Sequence, residues 1–161
     1  MNRFRYVGVL AAAAVAAVAV GSALASTAAP RPFKAAFTGK AVVKVDGQAA
    51  DITATGAGLA TLLGKSRLTA KGAGTASDPC PLFGGLASIT GTGGKLNFRI
   101  PPAAGSGCTD EQGTTFALVG RATIIGGTLK YKKAKGTFKF TGTFDKGTGN
   151  YSVKFTGLLT L

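Results

Sequence analysis

The alternation of side chains from residue 33 to residue 45 is the feature that most limits how this chain can fold. Every second residue is apolar or small, and most of the positions between them carry lysine or threonine. A repeat of two places successive side chains on opposite faces of a strand, whereas a helix repeats every 3.6 residues. The stretch is therefore predicted to be a half-buried strand. Its buried face would consist of Phe33, Ala35, Phe37, Gly39, Ala41, Val43 and Val45.

Further strand-like stretches follow, with turn signals about every ten residues. Residues 51–63 and 65–75 are strand-like but are weakened by glycines typical of bulges or bends. Residues 114–125 place apolar side chains on one side, and residues 85–101 have the pattern of a hairpin. Pro101 is expected to end this hairpin, because proline has no backbone N–H to donate to a partner strand. No helical pattern follows residue 26. The chain is predicted to be all-β and antiparallel, either a small barrel or a two-sheet sandwich.

The first 25 residues have the pattern of a secretory signal peptide. Arg3 and Arg5 precede an uncharged apolar block at residues 7–20, and an A-x-A sequence predicts cleavage after Ala25. The alternative is a transmembrane anchor, but a spanning helix needs about 20 apolar residues and this block is shorter. We expect a secreted protein that is extracellular, periplasmic or held in the cell envelope.

One domain of ordinary size remains after the predicted cleavage. Residues 26–32 form a short linker rich in proline and alanine, and residues 33–161 are predicted to form a single β-barrel domain. Loss of Arg3 and Arg5 leaves 17 basic residues against 6 acidic ones, a net charge of +11. Such a charge favours attraction to anionic polymers or membrane surfaces and says little about the fold.

Cys80 and Cys108 are the only cysteines, and both lie in turn-rich segments. In an oxidising compartment a disulfide is the default expectation for such a pair. The alternative is a catalytic or metal-binding thiol. Neither cysteine has a histidine to activate it, because the chain contains none, and two thiols alone make a poor metal site. We therefore predict a Cys80–Cys108 disulfide.

A lysine-rich stretch, GGTLKYKKAKGTFKFTGTF, occupies residues 126–144 and contains no acid. We interpret it as a hairpin with its loop at residues 133–136, in which Tyr131 faces Phe138 on the core side and Lys130 lies opposite Lys139 outside. The next hairpin then pairs aromatic residues, and such pairs stabilise sheets. The predicted pairs are Phe140 with Phe155 and Phe144 with Tyr151. The predicted core residues are Phe138, Phe140, Phe144, Tyr151, Val153 and Phe155.

The same register predicts a basic outer face. If the barrel closes, its first and last long strands are neighbours, and their lysines join into one surface without an outward acid. That surface is the candidate site for an anionic polymer or an anionic membrane. The alternative is that the lysines extend into water and prevent edge pairing of the sheet. The candidate anion-binding residues are Lys34, Lys40, Lys44, Lys130, Lys139 and Lys154.

The segment IIGGTLKYKKAKG, residues 124–136, resembles the I-x-G-G-T-G-x-F-x-x-A-x-G turn of dirigent proteins. It is similar, more loosely, to the corresponding hairpin of allene oxide cyclases and to a group of exported bacterial proteins. Leu129 stands where the pattern has glycine. The resemblance implies a barrel of about eight antiparallel strands around a central cavity, in which those proteins steer a reactive apolar intermediate. The matching residues are Gly126, Gly127, Thr128, Tyr131, Ala134 and Gly136.

The residue types present exclude several classes of chemistry. Without histidine the chain cannot form a histidine-dependent triad or a histidine metal site. It has no phosphate-binding loop, and its acids are not placed as a facing catalytic pair. Asp51 alone is expected to be able to point into a barrel mouth. The aromatics and lysines lie on opposite faces of the predicted strands, which argues against a specific nucleic-acid partner. We predict no catalytic residue, no metal and no cofactor.

Two kinds of binding remain as the favoured function. The protein is predicted to be non-enzymatic and to bind either an anionic polymer or surface on its outer face or a small apolar ligand inside the barrel. The alternatives are a cyclase-like or dirigent-like enzyme and a purely structural surface protein. The interior distinguishes them, because a filled barrel excludes a ligand and an open cavity with a buried acid or tyrosine favours one.

Overall fold

A computed structural model of the protein describes residues 29–76 and 79–161, and strands account for most of them. The predicted signal peptide, residues 1–25, lies outside the described residues, as does the first part of the predicted linker. No helix in the described ranges is long and apolar enough to cross a membrane. The strands, in chain order, are β1 (Arg31–Asp46), β2 (Ala49–Ala60), β3 (Gly64–Thr75), β4 (Leu82–Gly91), β5 (Gly94–Thr109), β6 (Thr115–Gly127), β7 (Lys135–Asp145) and β8 (Asn150–Thr160).

The eight strands form one closed antiparallel barrel. Each strand pairs with the next along the chain, and β1 also pairs with β8, where Lys34 lies opposite Thr156. This closure confirms the prediction of an antiparallel β-barrel over the sandwich alternative. It also confirms that the first and last long strands are neighbours. Since every strand has two partners, the sheet has no edge at which another strand could pair.

The connections alternate between the two ends of the barrel. Those between β1 and β2, β3 and β4, β5 and β6, and β7 and β8 lie at one end, which we call the open end. Those between β2 and β3, β4 and β5, and β6 and β7 lie at the other, which we call the closed end. The chain enters β1 and leaves β8 at the closed end, because Arg31 pairs with Leu159.

Alternate side chains of every strand point into the barrel, as the repeat of two requires. Phe138 lies at the centre of the packing, with its ring centroid 5.4 Å from that of Phe33, 5.0 Å from Phe98 and 5.3 Å from Phe155. Edge-to-face and offset contacts at such distances are favoured by aromatic rings. Five of the six predicted core residues are buried, namely Phe138, Phe140, Tyr151, Val153 and Phe155, and Phe144 is partly buried against them.

The hairpin predicted around residues 133–136 is wrong. Residues 129–131 form a short 3₁₀ turn rather than a strand, because Gly126 and Leu129 adopt positive φ angles of 106° and 53° that end β6. β7 therefore pairs with β6, where Lys139 lies opposite Arg121 instead of Lys130. The predicted register of the last hairpin is confirmed, with Phe140 opposite Phe155 and Phe144 opposite Tyr151.

Pro101 does not end its strand as predicted. The pairing of β5 with β6 breaks off after Arg99 and resumes at Gly105, and β5 continues to Thr109. Proline removes one donor from the ladder, and Ala103 in the same interval has a φ of 60°. The strand therefore accommodates its prolines as a local irregularity rather than a stop.

Candidate functional site: an apolar cavity at the open end

The barrel interior contains a cavity of about 700 Å³ next to the open end. Val43 and Val45 point inward from β1 and yet are 39% and 61% exposed, because the lumen is open at this level. The deeper wall is made by the aromatic residues Phe98, Phe140 and Phe155. The volume lies within the range of about 300–1,000 Å³ that is usual for small-molecule sites.

The cavity exists because small residues face large ones across the lumen. Ala41, Ala54, Ala70 and Ala87 follow one another in register across β1, β2, β3 and β4, and all four line the cavity. Alanine leaves the space that a leucine or phenylalanine would fill. The aromatic side chains that reach the cavity come mainly from the strands on the opposite side, so one wall is flat and the other is ridged.

The closed end is filled by side chains. Leu63, Leu96, Leu159, Phe33 and Tyr131 are fully buried there. The Tyr131 hydroxyl donates a hydrogen bond of 2.7 Å to the backbone carbonyl of Leu62, which fixes the β6–β7 connection under the barrel. The sequence analysis named the state of the interior as the feature that distinguishes the candidate functions. The barrel is filled at one end and open at the other.

The rim of the cavity is held by the predicted disulfide. Cys80 and Cys108 are bonded, with their Cα atoms 4.0 Å apart, just below the common range of about 4.4–6.8 Å. The same two segments share backbone hydrogen bonds, from Gly107 N–H to Pro81 and from Thr109 N–H to Pro79, each of 3.0 Å. The β3–β4 connection is therefore fastened to β5 beside the mouth.

The acidic residues of the open end serve its turns. The Asp145 carboxylate accepts the Thr148 N–H at 2.7 Å, and this bond holds the pKa of Asp145 below its usual value. Desolvation raises the pKa of Asp110, but N–H donors from Thr115 and Thr114 outweigh it and the net shift is downward. Asp51 is exposed on the outer face of β2, so the expectation that it might point into the mouth is wrong. No described carboxylate lines the cavity.

Tyr151 places a hydroxyl among the otherwise apolar side chains of the inner wall. The residue is only 7% exposed, and its hydroxyl has no hydrogen-bond partner among the described residues. The side chain extends from β8 across β1, and its hydroxyl lies against Gly56 of β2, where a Cβ would collide with it. Burial raises the pKa of Tyr151 to about 12. The hydroxyl therefore stays protonated at neutral pH and is available as a donor.

Replacement of this tyrosine tests whether its hydroxyl is unpaired. We expect Tyr151→Phe to raise the free energy of unfolding by about 1 kcal/mol at pH 7, because a buried donor without a partner destabilises the fold. The folded-state pKa lies above the unfolded value, so the wild type loses further stability as the pH rises from about 10 to about 12. Urea denaturation of both proteins at pH 7, 9 and 11 measures the difference. A less stable variant at pH 7 would show that the hydroxyl has a partner.

Three of the six lysines predicted to bind anions come together on the outer face. Thr156 of β8 pairs with Lys139 on one side and with Lys34 on the other, and Lys154 precedes Thr156 by two residues on the same face of β8. Arg121 joins them opposite Lys139. The sequence analysis missed this arginine because it placed Lys130, not Arg121, opposite Lys139. Only the pairing of β6 with β7 brings Arg121 to that position.

The other three lysines lie elsewhere, so the prediction of one continuous basic face without an acid is wrong. The Lys40 ammonium donates to the Thr148 carbonyl at 2.8 Å near the open end. Lys44 lies opposite Asp51, an outward acid. Lys130 lies at the closed end, where its ammonium is 3.3 Å from the Leu62 carbonyl. Anion binding by these residues stays a prediction.

Comparison with known proteins identifies no relative. No protein-family model matches the chain, and no curated protein or solved structure shows a significant similarity to it. The resemblance to dirigent proteins and allene oxide cyclases therefore stays a hypothesis that rests on the hairpin motif. Among the residues that the structure describes, no group of three or more histidine, cysteine, aspartate or glutamate side chains is arranged to hold a metal ion.

Proposed function

We propose that this protein binds a small, mainly apolar molecule inside its barrel. The observation that carries the proposal is the cavity of about 700 Å³, whose walls are alanine, valine and phenylalanine side chains and which opens at one end. Transfer of an apolar ligand from water into such a site is favourable in proportion to the area removed from solvent. A filled closed end gives the ligand a floor, and the disulfide-linked rim gives it a fixed entrance.

The proposed ligand has at most one polar group at the depth of Tyr151. Among the described residues, its hydroxyl is the only polar group that the inward-facing wall side chains offer. Lys71 and Thr75 occupy exposed, outward positions of β3, and Lys146 and Thr148 lie in the β7–β8 connection at the rim. A carbonyl, ether or hydroxyl oxygen on the ligand would accept a hydrogen bond if the ring turns away from Gly56. Such a bond would give the site a preference among molecules of equal size.

Tyr151 also supports a second candidate, a cyclase-like or dirigent-like enzyme that shapes a reactive intermediate. A protonated donor in an apolar cavity can stabilise charge that develops on a ligand oxygen. The described walls supply no carboxylate for proton abstraction, and for this reason we favour binding. Recovery of the ligand unchanged after prolonged incubation supports binding alone, whereas its conversion, lost in Tyr151→Phe, supports the enzyme.

We further propose that the protein acts outside the cytoplasm. The Cys80–Cys108 disulfide is compatible with an oxidising environment, in which such bonds persist. Export itself rests on the signal-peptide pattern of residues 1–25. Sequencing of the N-terminus of the protein recovered from its host tests this, with Ser26 expected as the first residue.

A cavity-filling substitution tests the proposed site. N-phenyl-1-naphthylamine, a neutral apolar dye that fluoresces when it leaves water, is expected to bind the wild type with a stoichiometry of one. Ala70→Phe places a ring in the cavity and is expected to weaken the dye by about tenfold or more, which corresponds to about 1.4 kcal/mol. Fluorescence titration measures both dissociation constants.

The matched control is Ala73→Phe, which introduces the same ring three residues away on the outer face of β3. It is expected to leave dye binding within about twofold of the wild type, since outer-face changes rarely alter the interior. Native mass spectrometry of protein purified from its own host would show whether a natural ligand is retained. Equal dye binding by Ala70→Phe and the wild type would refute the cavity as the site.

A further inference from the structure

Charge is distributed unevenly along the barrel axis. Asp46, Asp110, Glu111 and Asp145 end strands or lie in connections at the open end, and Asp51 is the third residue of β2, close to the same end. The closed end carries no acid among the described residues. The barrel is therefore polarised, with its anionic groups around the mouth and an excess of positive charge at the opposite end.

The cations of the closed end occupy its connections and the strand residues next to them. All are exposed. Lys65, Lys95 and Lys135 are the first or second residues of β3, β5 and β7, and three others lie in or directly after the 3₁₀ turn. We call this region the closed-end surface. Its cations are Arg31, Lys65, Lys95, Lys130, Lys132, Lys133 and Lys135.

Leu129 is an exposed apolar residue in the 3₁₀ turn of the closed-end surface. The residue is 76% exposed, the highest value among the exposed large apolar residues of the described chain. Its φ of 53° lies in the left-handed region, which a leucine adopts at a cost and a glycine adopts freely. The positive φ turns the chain so that Tyr131 lies under the barrel, but it leaves the leucine side chain exposed to water. A glycine would serve this turn at a lower cost, so the leucine is a candidate for contact with something outside the protein.

The turn that carries Leu129 is held firmly. Backbone hydrogen bonds run from Tyr131 to Thr128 at 3.0 Å and from Lys132 to Leu129 at 3.1 Å. Tyr131 is fully buried beneath the turn, and the Lys130 ammonium lies 5.2 Å from the centre of its ring. A rigid turn loses little conformational entropy when it binds, so the leucine is presented at low cost.

Three further apolar side chains are exposed near the closed end. Leu59 is the penultimate residue of β2 and is 62% exposed, and Ile125 and Leu158, near the ends of β6 and β8, are each 54% exposed. Apolar side chains interspersed with lysines are typical of protein surfaces that lie at a membrane interface, where the lysines meet anionic headgroups and the apolar groups enter the region between headgroups and acyl chains.

We propose that the closed-end surface binds the anionic surface of a lipid bilayer, with Leu129 inserted at the interface and the cavity mouth facing away from the membrane. The charge of this surface indicates an anionic partner, because the surface has seven cations and no described acid. A soluble polyanion would satisfy the lysines but offers no apolar phase for Leu129. The chain also enters β1 at this end, so the segment that precedes Arg31 begins on the side where the membrane would lie.

Vesicle binding tests the proposal. Protein recovered after export is mixed with vesicles of phosphatidylcholine alone or with about one-third phosphatidylglycerol, a composition at which polybasic surfaces bind. We expect binding to the anionic vesicles only, and a steep loss at near-physiological salt, because screening weakens the attraction. The variant K132Q/K133Q/K135Q is expected to bind at least tenfold more weakly in co-sedimentation.

The matched control is K34Q/K139Q/K154Q, which removes the same charge from the side of the barrel and should bind within about threefold of the wild type. Leu129→Gly relieves the positive φ, so it is expected to fold, and it should bind anionic vesicles several-fold more weakly while its binding to heparin is unchanged. Equal losses for the two triple variants, unchanged vesicle binding by Leu129→Gly, or equal binding to neutral vesicles would each overturn the proposal.

Discussion

Truncation of Phe138 to alanine is expected to lower the free energy of unfolding by about 3–5 kcal/mol. The residue is 3% exposed and contacts three other aromatic rings at the centre of the core. Its removal loses the transfer free energy of the ring and leaves a void that neighbouring side chains, fixed on separate strands, cannot fill. Equilibrium denaturation in urea measures the change.

The control for this experiment is the adjacent outward residue. Lys139 is exposed on the other face of β7. Lys139→Ala is therefore expected to change the free energy of unfolding by no more than about 0.5 kcal/mol. A shift of register by one residue would exchange the two effects completely. A loss below about 1 kcal/mol for Phe138→Ala would therefore contradict the position of this strand.

Removal of the disulfide has the second largest expected effect. The double variant Cys80→Ala/Cys108→Ala opens the loop between two cysteines that are 28 residues apart in the sequence. Chain entropy predicts that the free energy of unfolding falls by about 3.5 kcal/mol. The double substitution is used because a single one leaves a reactive thiol. Thermal and urea denaturation of the oxidised wild type and the variant measure the loss.

Reduced wild-type protein provides the control, since it keeps both side chains and lacks only the bond. It is expected to match the double variant within about 1 kcal/mol, because an open loop gains the same freedom in both proteins. Stability unaffected by either treatment would show that the two hydrogen bonds between the β3–β4 connection and β5 hold the rim on their own.

The repeat of two was sufficient to predict most of the barrel. Inward and outward residues in β1, β7 and β8 follow directly from alternation, because a strand offers only two faces. The disulfide also followed from the sequence, since a signal-peptide pattern predicts an oxidising compartment, where two cysteines in turn-rich segments are expected to pair. These features depend on local pattern and composition, and both are readable without knowing which strands are neighbours.

The segment at residues 128–134 could not be predicted from alternation. Tyr131 and Leu129 fit a strand pattern, but the positive φ of Leu129 ends the strand and turns Tyr131 under the barrel. Leucine rarely adopts that conformation, so the sequence contains no signal for it. The dirigent motif has glycine, which adopts a positive φ freely, at the position of Leu129, but no expectation was drawn from this difference.

No local pattern in the sequence predicts the cavity. Ala54, Ala70 and Ala87 are unremarkable in their own strands, and they form a wall only because β2, β3 and β4 align them. Glycines in the same strands favour bulges or bends, and they carry no information about the space inside the barrel. A lumen is set by which residues share a level of the barrel, and this depends on the pairing of all the strands together.

The barrel cannot close during synthesis until β8, the last strand, has been made, because β8 pairs with β1. The two strands begin about 120 residues apart, at Arg31 and Asn150, and every other pairing joins consecutive strands. At about 5–20 residues per second, the first strand is made on the order of ten seconds before its last partner. Throughout that interval β1 has an unpaired side and is open to pairing with other chains. Substitutions in β8 that delay docking should therefore reduce the yield of folded protein more than they reduce the stability of the protein that does fold.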